Sequence, residues 1–351
     1  MSDSLPFQPR FIGQPVPRIE DPLLLSGRAT LVDDLQFPGM LHMAMLRSPH
    51  AHARINSIDT KAACDMPGVE AVVTGAEIKA ATRPLGAMPA VGEGWTGHAM
   101  AVDKVRYCGE IVAAVVAVSR EVAEDALEQI WVDYEELPPV VDLVKAATDE
   151  SALLYEQQES NVLFQRDYIY GEPDSELSKA DLVIRGNYSF PRVSGNPMET
   201  NGVITQWDTM ADELNCWCNA QTRASTVASF LLDPPGRDHV IAQPHGGSFG
   251  TKLYLLKYQL ITAIASRKTG GRHIKYIEDR IEHLMASGTH AWDRRYEAAF
   301  GFTSDGVCTA MHFRCLNDCG ASAENNAPSM CWKPIVMLAG PYRVDHVRYD
   351  L

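Results

Sequence analysis

The feature that most constrains this chain is the segment HGGSFGTK at residues 245–252. Residues 240–242 before it predict a short strand, and the apolar stretch 254–267 after it predicts a long helix. Backbone N–H groups in such a loop can converge on an anion, and glycines allow close approach to a ligand. The spacing matches neither the G-x-x-x-x-G-K-[ST] phosphate loop nor the G-x-G-x-x-G dinucleotide motif. Alone, the segment is as typical of a tight turn between a strand and a helix as of a ligand-binding loop.

Strand patterns and helix patterns alternate along the rest of the chain, which predicts an α+β fold. We expect strands at 29–33, 41–47, 69–74, 111–118, 131–134, 180–190, 202–208, 214–219 and 274–277, a hairpin formed by 296–302 and 307–317, and helices at 60–66, 120–129 and 223–232. A chain of 351 residues is too long for one ordinary core and suits two or three domains.

Composition excludes several classes of function. The net charge of −14 is spread along the chain without a basic block, so no nucleic-acid partner is expected. No apolar run reaches the roughly 20 residues of a transmembrane helix, and the polar start of the chain lacks the apolar core of a secretory signal. These features predict a cytoplasmic protein.

The chain has eight cysteines, which are possible metal ligands. Cys216 and Cys218 alternate within a predicted strand, which points both sulfurs to one face without forming the closed loop of a zinc or iron–sulfur site. The spacing of Cys315 and Cys319 is no more specific. Reduced thiols are therefore the better interpretation, and no direct metal ligand is expected.

Two polar residues are candidates for the ligand site. Gln221 follows a predicted strand, where its neutral amide can donate a hydrogen bond to an oxygen without changing the charge of a site. Glu199 lies beside a predicted turn. Standing alone, each would more often be a structural residue than a functional one.

Ordered motifs along the chain resemble the large subunit of the aldehyde oxidase and xanthine dehydrogenase family of molybdenum hydroxylases. Similar to its hammerhead domain are RSPHAHARI at 47–55, PGV at 67–69, VRYCGE at 105–110 and YEELPPV at 134–140. Similar to its first molybdopterin-binding segment are PME at 197–199, AQT at 220–222, GGSFGTK at 246–252 and RIEH at 280–283. The resemblance extends from about residue 13 to residue 351.

This resemblance implies a domain order. We expect an N-terminal arm at 1–17, an a/b hammerhead domain at 18–145, a linker at 146–165, and a first α+β molybdopterin-binding domain at 166–351. By this resemblance, we expect the second molybdopterin-binding domain of the family to be missing from this chain.

It also implies a cofactor site. In the family, the glutamine at the position of Gln221 donates a hydrogen bond to an oxo ligand of molybdenum. The contacts to the pterin and dithiolene end of the cofactor fall on Gly246, Gly247, Ser248, Phe249 and Gly250, and Phe249 also lines the substrate pocket. The cofactor is expected to be molybdenum-molybdopterin, in its cytosine dinucleotide form. Electrons pass to [2Fe-2S] clusters and FAD on other subunits after a carbon centre is hydroxylated with oxygen from water.

Departures from the family matter equally. The second segment supplies the glutamate that serves as general base, and the sequence ends where that segment would begin, so no catalytic residue is expected here. Leu253 stands where some members carry a glutamate, which disfavours a xanthine-type pocket.

We therefore expect a subunit of a split molybdenum hydroxylase. Its partners would be a second molybdopterin-binding subunit, an iron–sulfur subunit and an FAD subunit, and its small-molecule substrate an N-heterocyclic aromatic. Alternatives are a non-catalytic scaffold or assembly subunit, a member that oxidises aldehydes or carbon monoxide, and a truncated longer chain.

Overall fold

Most helices of this protein are short. The computed structural model describes residues 11–86, 93–148, 150–221, 227–253, 255–287, 289–322, 335 and 337–351. The helices are α1 (Asp21–Leu25), α2 (Lys61–Cys64), α3 (Gly75–Ala81), α4 (Arg120–Leu127), α5 (Leu143–Ala147), α6 (Pro173–Lys179), α7 (Leu256–Lys268) and α8 (Arg280–Glu282). Single 3-10 turns form at Val32–Asp34 and Val227–Phe230, and α8 continues into a π-helical turn at His283–Ser287.

Within the described residues, the strands form four sheets. The strands are β1 (Leu41–Arg47), β2 (Ala53–Asp59), β3 (Val69–Thr74), β4 (Lys104–Val105), β5 (Ile111–Ala117), β6 (Trp131–Glu136), β7 (Asp167–Tyr170), β8 (Leu182–Phe190), β9 (Val193–Ser194), β10 (Gly202–Asp208), β11 (Glu213–Cys218), β12 (Arg237–Ala242), β13 (Ile274–Ile277), β14 (Thr289–Ala291), β15 (Arg294–Phe302), β16 (Cys308–Asn317) and β17 (Val347–Asp350). Their orders are β12-β11-β10-β13-β1-β5-β3, β4-β2-β6, β7-β17-β16-β15-β8 and β14-β9. The mixture of helices and strands confirms the α+β class.

The seven-stranded sheet joins both halves of the sequence. β1 pairs in parallel with β13, with Leu41 opposite Ile274, although the two strands lie more than two hundred residues apart. All seven residues of β5 are buried, which fits its apolar sequence IVAAVVA and its place between β1 and β3. One core cluster therefore holds side chains from both halves of the sequence, such as Met43 and Tyr276. The expected domain limits remain a prediction.

Helix α7 packs on β10 and β13 of this sheet and is buried along most of its length. Its sequence LKYQLITAIASRK is apolar around much of the circumference, which is typical of a helix inside a core. It ends at Lys268 with Thr269 as its C-cap, before Gly270 and Gly271, both of which have positive φ. Because the buried helix begins at Leu256, it holds in place the end of the segment that connects it to β12.

Two local expectations need correction or restriction. Residues 29–33 were expected to form a strand, but Val32–Asp34 form a 3-10 turn instead. The turn is favoured because the Asp34 carboxylate accepts the Leu31 N–H at 2.8 Å while Val32 is buried. The expected helix at 223–232 lies partly outside the described residues, and its described part is the 3-10 turn Val227–Phe230.

In the described part of the chain, no helix is long and apolar enough to cross a membrane. Cys216 and Cys218 lie on one face of β11, as the strand pattern predicted, and both are buried in the core, where Gln259 Nε2 lies 3.6 Å from each sulfur.

Candidate functional site

The glycine-rich segment forms a loop between β12 and α7, as its sequence predicted. Gly247, Phe249 and Gly250 adopt positive φ angles of 93°, 52° and 91°. For phenylalanine this conformation costs about 1–2 kcal/mol. Such strain is retained where the surrounding structure fixes the backbone, and it is typical of ligand sites.

Close packing explains a glycine at 246. A Cβ added at Gly246 would lie 2.9 Å from Glu199 Cβ, closer than carbon atoms pack. The loop therefore presses its backbone against the segment that contains Glu199, and a larger residue would push the two apart.

Gln221 holds the middle of the loop. Its Oε1 accepts the Ser248 hydroxyl at 2.5 Å and the Gly250 N–H at 3.0 Å. Its own N–H donates to the Lys252 carbonyl at 2.8 Å. Gln221 itself is exposed, three residues after the end of β11. The structure thus brings together the two motifs that sequence reasoning had singled out separately.

Glu199 holds both ends of the loop. Its Oε2 accepts the Gly246 N–H at 2.8 Å and lies 2.8 Å from Lys252 Nζ. The Lys252 side chain is fully buried, and burial lowers the pKa of its ammonium, whereas the Glu199 carboxylate opposes that shift. Ser248 is also buried, and its Oγ accepts the Lys252 N–H at 3.2 Å. The Ser248 side chain therefore serves the loop itself, and only its backbone can face a ligand.

Several donors at this site meet no acceptor within the residues that the structure describes. They are the backbone N–H groups of Gly247, Ser248 and Phe249 and the Nε2 amide of Gln221. Successive N–H groups at alternating left- and right-handed positions form an anion-binding concavity. The arrangement can hold an oxygen-rich, anionic group through neutral donors.

Exposed apolar side chains lie on the loop and on nearby segments. Phe249 is 61% exposed, Met198 91% and Ile281 74%. Arg280 ties this rim together, because its guanidinium donates to the carbonyls of Pro197 and Met198 at 2.7 and 2.8 Å. The Phe249 side chain is therefore in the open position that a substrate-pocket wall requires.

A buried charge network connects the rim to β1. Arg47 lies 2.8 Å from Glu282 and 3.5 Å from Glu278, and it donates to Tyr276 at 2.9 Å. Glu278, fully buried, also accepts the Tyr258 hydroxyl at 2.7 Å and contacts His283 Nδ1 at 2.9 Å. Burial raises the pKa of both tyrosines, which keeps their hydroxyls protonated as donors. Two motifs far apart in sequence, at 47–55 and 280–283, therefore meet here.

Sequence reasoning missed the Glu199–Lys252 ion pair. Both residues were visible, yet nothing in their spacing of more than fifty positions predicts contact. One signal was available: a lysine directly after a buried glycine-rich loop needs a carboxylate partner if its side chain turns inward.

Comparisons with known proteins identify the family of this chain. The model of the molybdopterin cofactor-binding domain matches residues 154–351, and that of the aldehyde oxidase and xanthine dehydrogenase a/b hammerhead domain matches residues 26–138. The nicotine 6-hydroxylase large subunit of Paenarthrobacter nicotinovorans is 35% identical over 325 residues, covering 91% of this chain and 39% of that protein. The carbon monoxide dehydrogenase large chain of Afipia carboxidovorans is 35% identical over 350 residues, covering 95% and 42%.

Two further proteins are similar. The nicotinate dehydrogenase large molybdopterin subunit of Eubacterium barkeri is 28% identical over 329 residues, covering 93% of this chain and 74% of that protein. The crystal structure of quinoline 2-oxidoreductase from Pseudomonas putida 86 has a TM-score of 0.84 and 35% identity, covering 95% of this chain and 43% of that chain. The chain thus spans about two fifths of the length of most of these relatives.

The matched domain order is the one that the sequence motifs implied, a hammerhead domain followed by a molybdopterin-binding domain. Together these matches place the chain in the molybdenum hydroxylase family of aldehyde oxidase and xanthine dehydrogenase.

Proposed function

We propose that this chain forms one wall of a molybdopterin site in an enzyme that hydroxylates a carbon centre with oxygen from water. The observation that carries the proposal is the orientation of the Gln221 amide. A backbone N–H can only donate, so the Gln221 atom that faces the Gly250 N–H must be the carbonyl oxygen. The amide nitrogen is then the donor left for a ligand.

The residues present fit the cofactor. Three backbone N–H groups at 247–249 and the Gln221 amide supply donors without any net charge, since Lys252 compensates Glu199. When bound, the cofactor supplies a metal that accepts two electrons from the substrate carbon and delivers the oxygen of water. This chain's residues bind and orient that group, because donors fixed in advance need no reorganisation during the reaction.

No general base is assigned to the chain. A second molybdopterin-binding segment would supply it, and we infer that this segment belongs to a separate subunit. The larger coverage of the nicotinate dehydrogenase subunit supports this, because it shows a relative whose molybdopterin subunit is not much longer than the match. Iron–sulfur and FAD subunits would complete electron transfer, and the cofactor would be the cytosine dinucleotide form. The cytoplasmic location also remains a prediction.

The proposed substrate is an N-heterocyclic aromatic. Nicotine and quinoline, named in two of the relatives, belong to this class. Exposed Phe249 offers a ring face against which a planar heterocycle could stack. Carbon monoxide, named in another relative at equal identity, is the alternative, together with aldehydes.

The matched substitution for a test is Gln221→Glu in the complex purified with its partner chains. The carboxylate keeps an acceptor for Ser248 and Gly250 but removes the outward donor. We expect turnover of an N-heterocycle such as quinoline to fall by about 10²-fold, while the unfolding temperature stays unchanged. Gln129→Glu, on an exposed position of the other half of the chain, is the control.

A second class of function, a scaffold without a working site, makes the opposite prediction. Unchanged turnover in both Gln221→Glu and Gln221→Ala would support the scaffold. Metal analysis tests the split site separately: stoichiometric molybdenum in this chain purified alone would refute a cofactor shared with a second subunit.

A further inference from the structure

One carboxylate sits between the two ends of the glycine loop. Glu199 Oε2 is 2.8 Å from the Gly246 nitrogen, where the loop begins, and 2.8 Å from Lys252 Nζ, where it ends. The Glu199 N–H also donates to the Gly246 carbonyl at 3.3 Å. Two contact points six residues apart are thus held by a single side chain.

Lys252 carries this constraint into the rest of the site. Its carbonyl accepts the Gln221 N–H at 2.8 Å, and its N–H donates to Ser248 Oγ at 3.2 Å. A shift of Lys252 would therefore move the backbone of Gln221 and the partner of its side chain together.

Burial makes the pair interdependent. The Lys252 side chain has no exposed surface, whereas that of Glu199 is 15% exposed. Removing the carboxylate would leave a buried ammonium without its ion-pair partner, and removing the ammonium would leave a carboxylate directly behind a loop built to receive an anion. Removal of either charge alone would therefore leave the loop with an unpaired charge.

We propose that Glu199 is a positioning residue. Through its contacts with Lys252 and the Gly246 N–H, it sets the conformation of the loop at 246–252 and the orientation of the Gln221 amide. This inference rests on the proposed function, since the loop and Gln221 are taken to face the cofactor. It assigns Glu199 no contact with that group.

The alternative is an ion pair that contributes stability alone. The chain offers a matched control in Lys104 and Glu156, which are also 2.8 Å apart, with the lysine 3% exposed and the carboxylate half-exposed. This pair contacts other residues of the first half of the chain, such as Leu153, and no residue of the loop. Its loss should reduce stability without altering the loop.

The test compares Glu199→Gln, Lys252→Met and the double variant with Lys104→Met, all in the assembled complex. Hydrogen–deuterium exchange reports on the loop amides at 245–253, thermal unfolding reports on stability, and metal analysis reports on bound molybdenum. For each loop variant we expect amide exchange at least about tenfold faster and less than half the wild-type molybdenum. Lys104→Met should leave loop exchange and molybdenum at wild-type values.

The double variant separates positioning from stability. It contains no unpaired charge, so its unfolding temperature should return toward the wild-type value. If Glu199 positions the loop, fast exchange and low molybdenum persist, because the tether between the loop ends is absent. Recovery of exchange and molybdenum along with stability would overturn the proposal.

Failure of the proposed function would look different. A wild-type complex without molybdenum would refute the cofactor site, and loop exchange in the variants would still decide whether Glu199 shapes the loop. Wild-type exchange in the Glu199→Gln loop, in a complex that holds molybdenum, would refute the positioning role alone.

Discussion

Replacement of Arg47 by methionine should strongly destabilise the fold, because this guanidinium is the cation at the centre of a buried acidic cluster. Its side chain is 5% exposed and lies 2.8 Å from Glu282 and 3.5 Å from Glu278, whose side chain is fully buried. It also donates to the Gly109 carbonyl at 3.0 Å, which links β1 to the segment before β5. Methionine keeps much of the volume and removes every donor.

The expected loss of stability follows from the buried carboxylate that the substitution leaves behind. Glu278 keeps hydrogen bonds from Tyr258 and His283 but loses its nearest guanidinium. Breaking a buried ion pair from one side costs about 3–5 kcal/mol, a large share of the roughly 5–15 kcal/mol that stabilises a domain. A shift of about 2–4 °C per kcal/mol then predicts a fall in the unfolding temperature of about 6–20 °C.

Urea titration and thermal unfolding of the purified chain measure this loss. Arg54→Met is the matched control, since Arg54 pairs with Glu156 at 3.2 Å but both side chains are half-exposed. An exposed pair contributes about 0–1 kcal/mol, so the control should unfold close to the wild-type temperature. A loss below about 1 kcal/mol for Arg47→Met would refute the reasoning that burial makes this network interdependent.

Two further predictions concern the loop and the five-stranded sheet. Phe249→Gly should change the free energy of unfolding by less than about 1 kcal/mol, because relief of the positive-φ strain offsets the greater backbone entropy that glycine loses on folding. KM for the heterocycle should rise about tenfold if the phenyl ring lines the substrate pocket. An unchanged KM would show that Phe249 does not line the pocket. Burial alone would raise the pKa of Asp350, but hydrogen bonds from Arg348 and His312 outweigh it and hold the pKa below the ordinary value. The resulting stability is present above about pH 4 and lost as pH falls below it; in urea titrations between about pH 3 and about pH 7, Asp350→Asn should lack this acid-sensitive loss, and an identical pH profile would contradict it.

Short-range patterns predicted most elements of this fold. The apolar run at 111–118 and the helix pattern at 120–129 fall on β5 and α4, and Ser119 accepts the Val122 N–H as an N-cap at 3.3 Å. Strand 29–33 was wrong because Asp34 forms a turn with its own neighbours, an interaction that alternation of apolar residues does not encode.

Contacts between residues far apart in the sequence could not be predicted from the spacing of apolar and polar residues. The parallel pairing of β1 with β13 depends on the burial of both strands in one sheet, and the residues of neither strand predict which strand it pairs with. The same holds for Glu199 and Lys252. The glycine loop and Gln221 could be predicted because family motifs mark them. The orientation of the Gln221 amide could not, because it depends on the Gly250 N–H, which donates to Gln221 Oε1.

Exposure of the site has an energetic consequence. The Gln221 amide and the rim residue Phe249 are open to water here, and a hydrogen bond formed in water contributes only about 0.5–1.5 kcal/mol. A hydrogen bond from the Gln221 amide would be far stronger in a dry, low-dielectric pocket. A second segment that covers this wall would therefore strengthen cofactor binding, and the bound cofactor would strengthen association with that segment by the same factor. If that segment belongs to a separate subunit, as proposed, loss of the cofactor and loss of subunit assembly should occur together, so Gln221 and loop variants are measured in the complete complex.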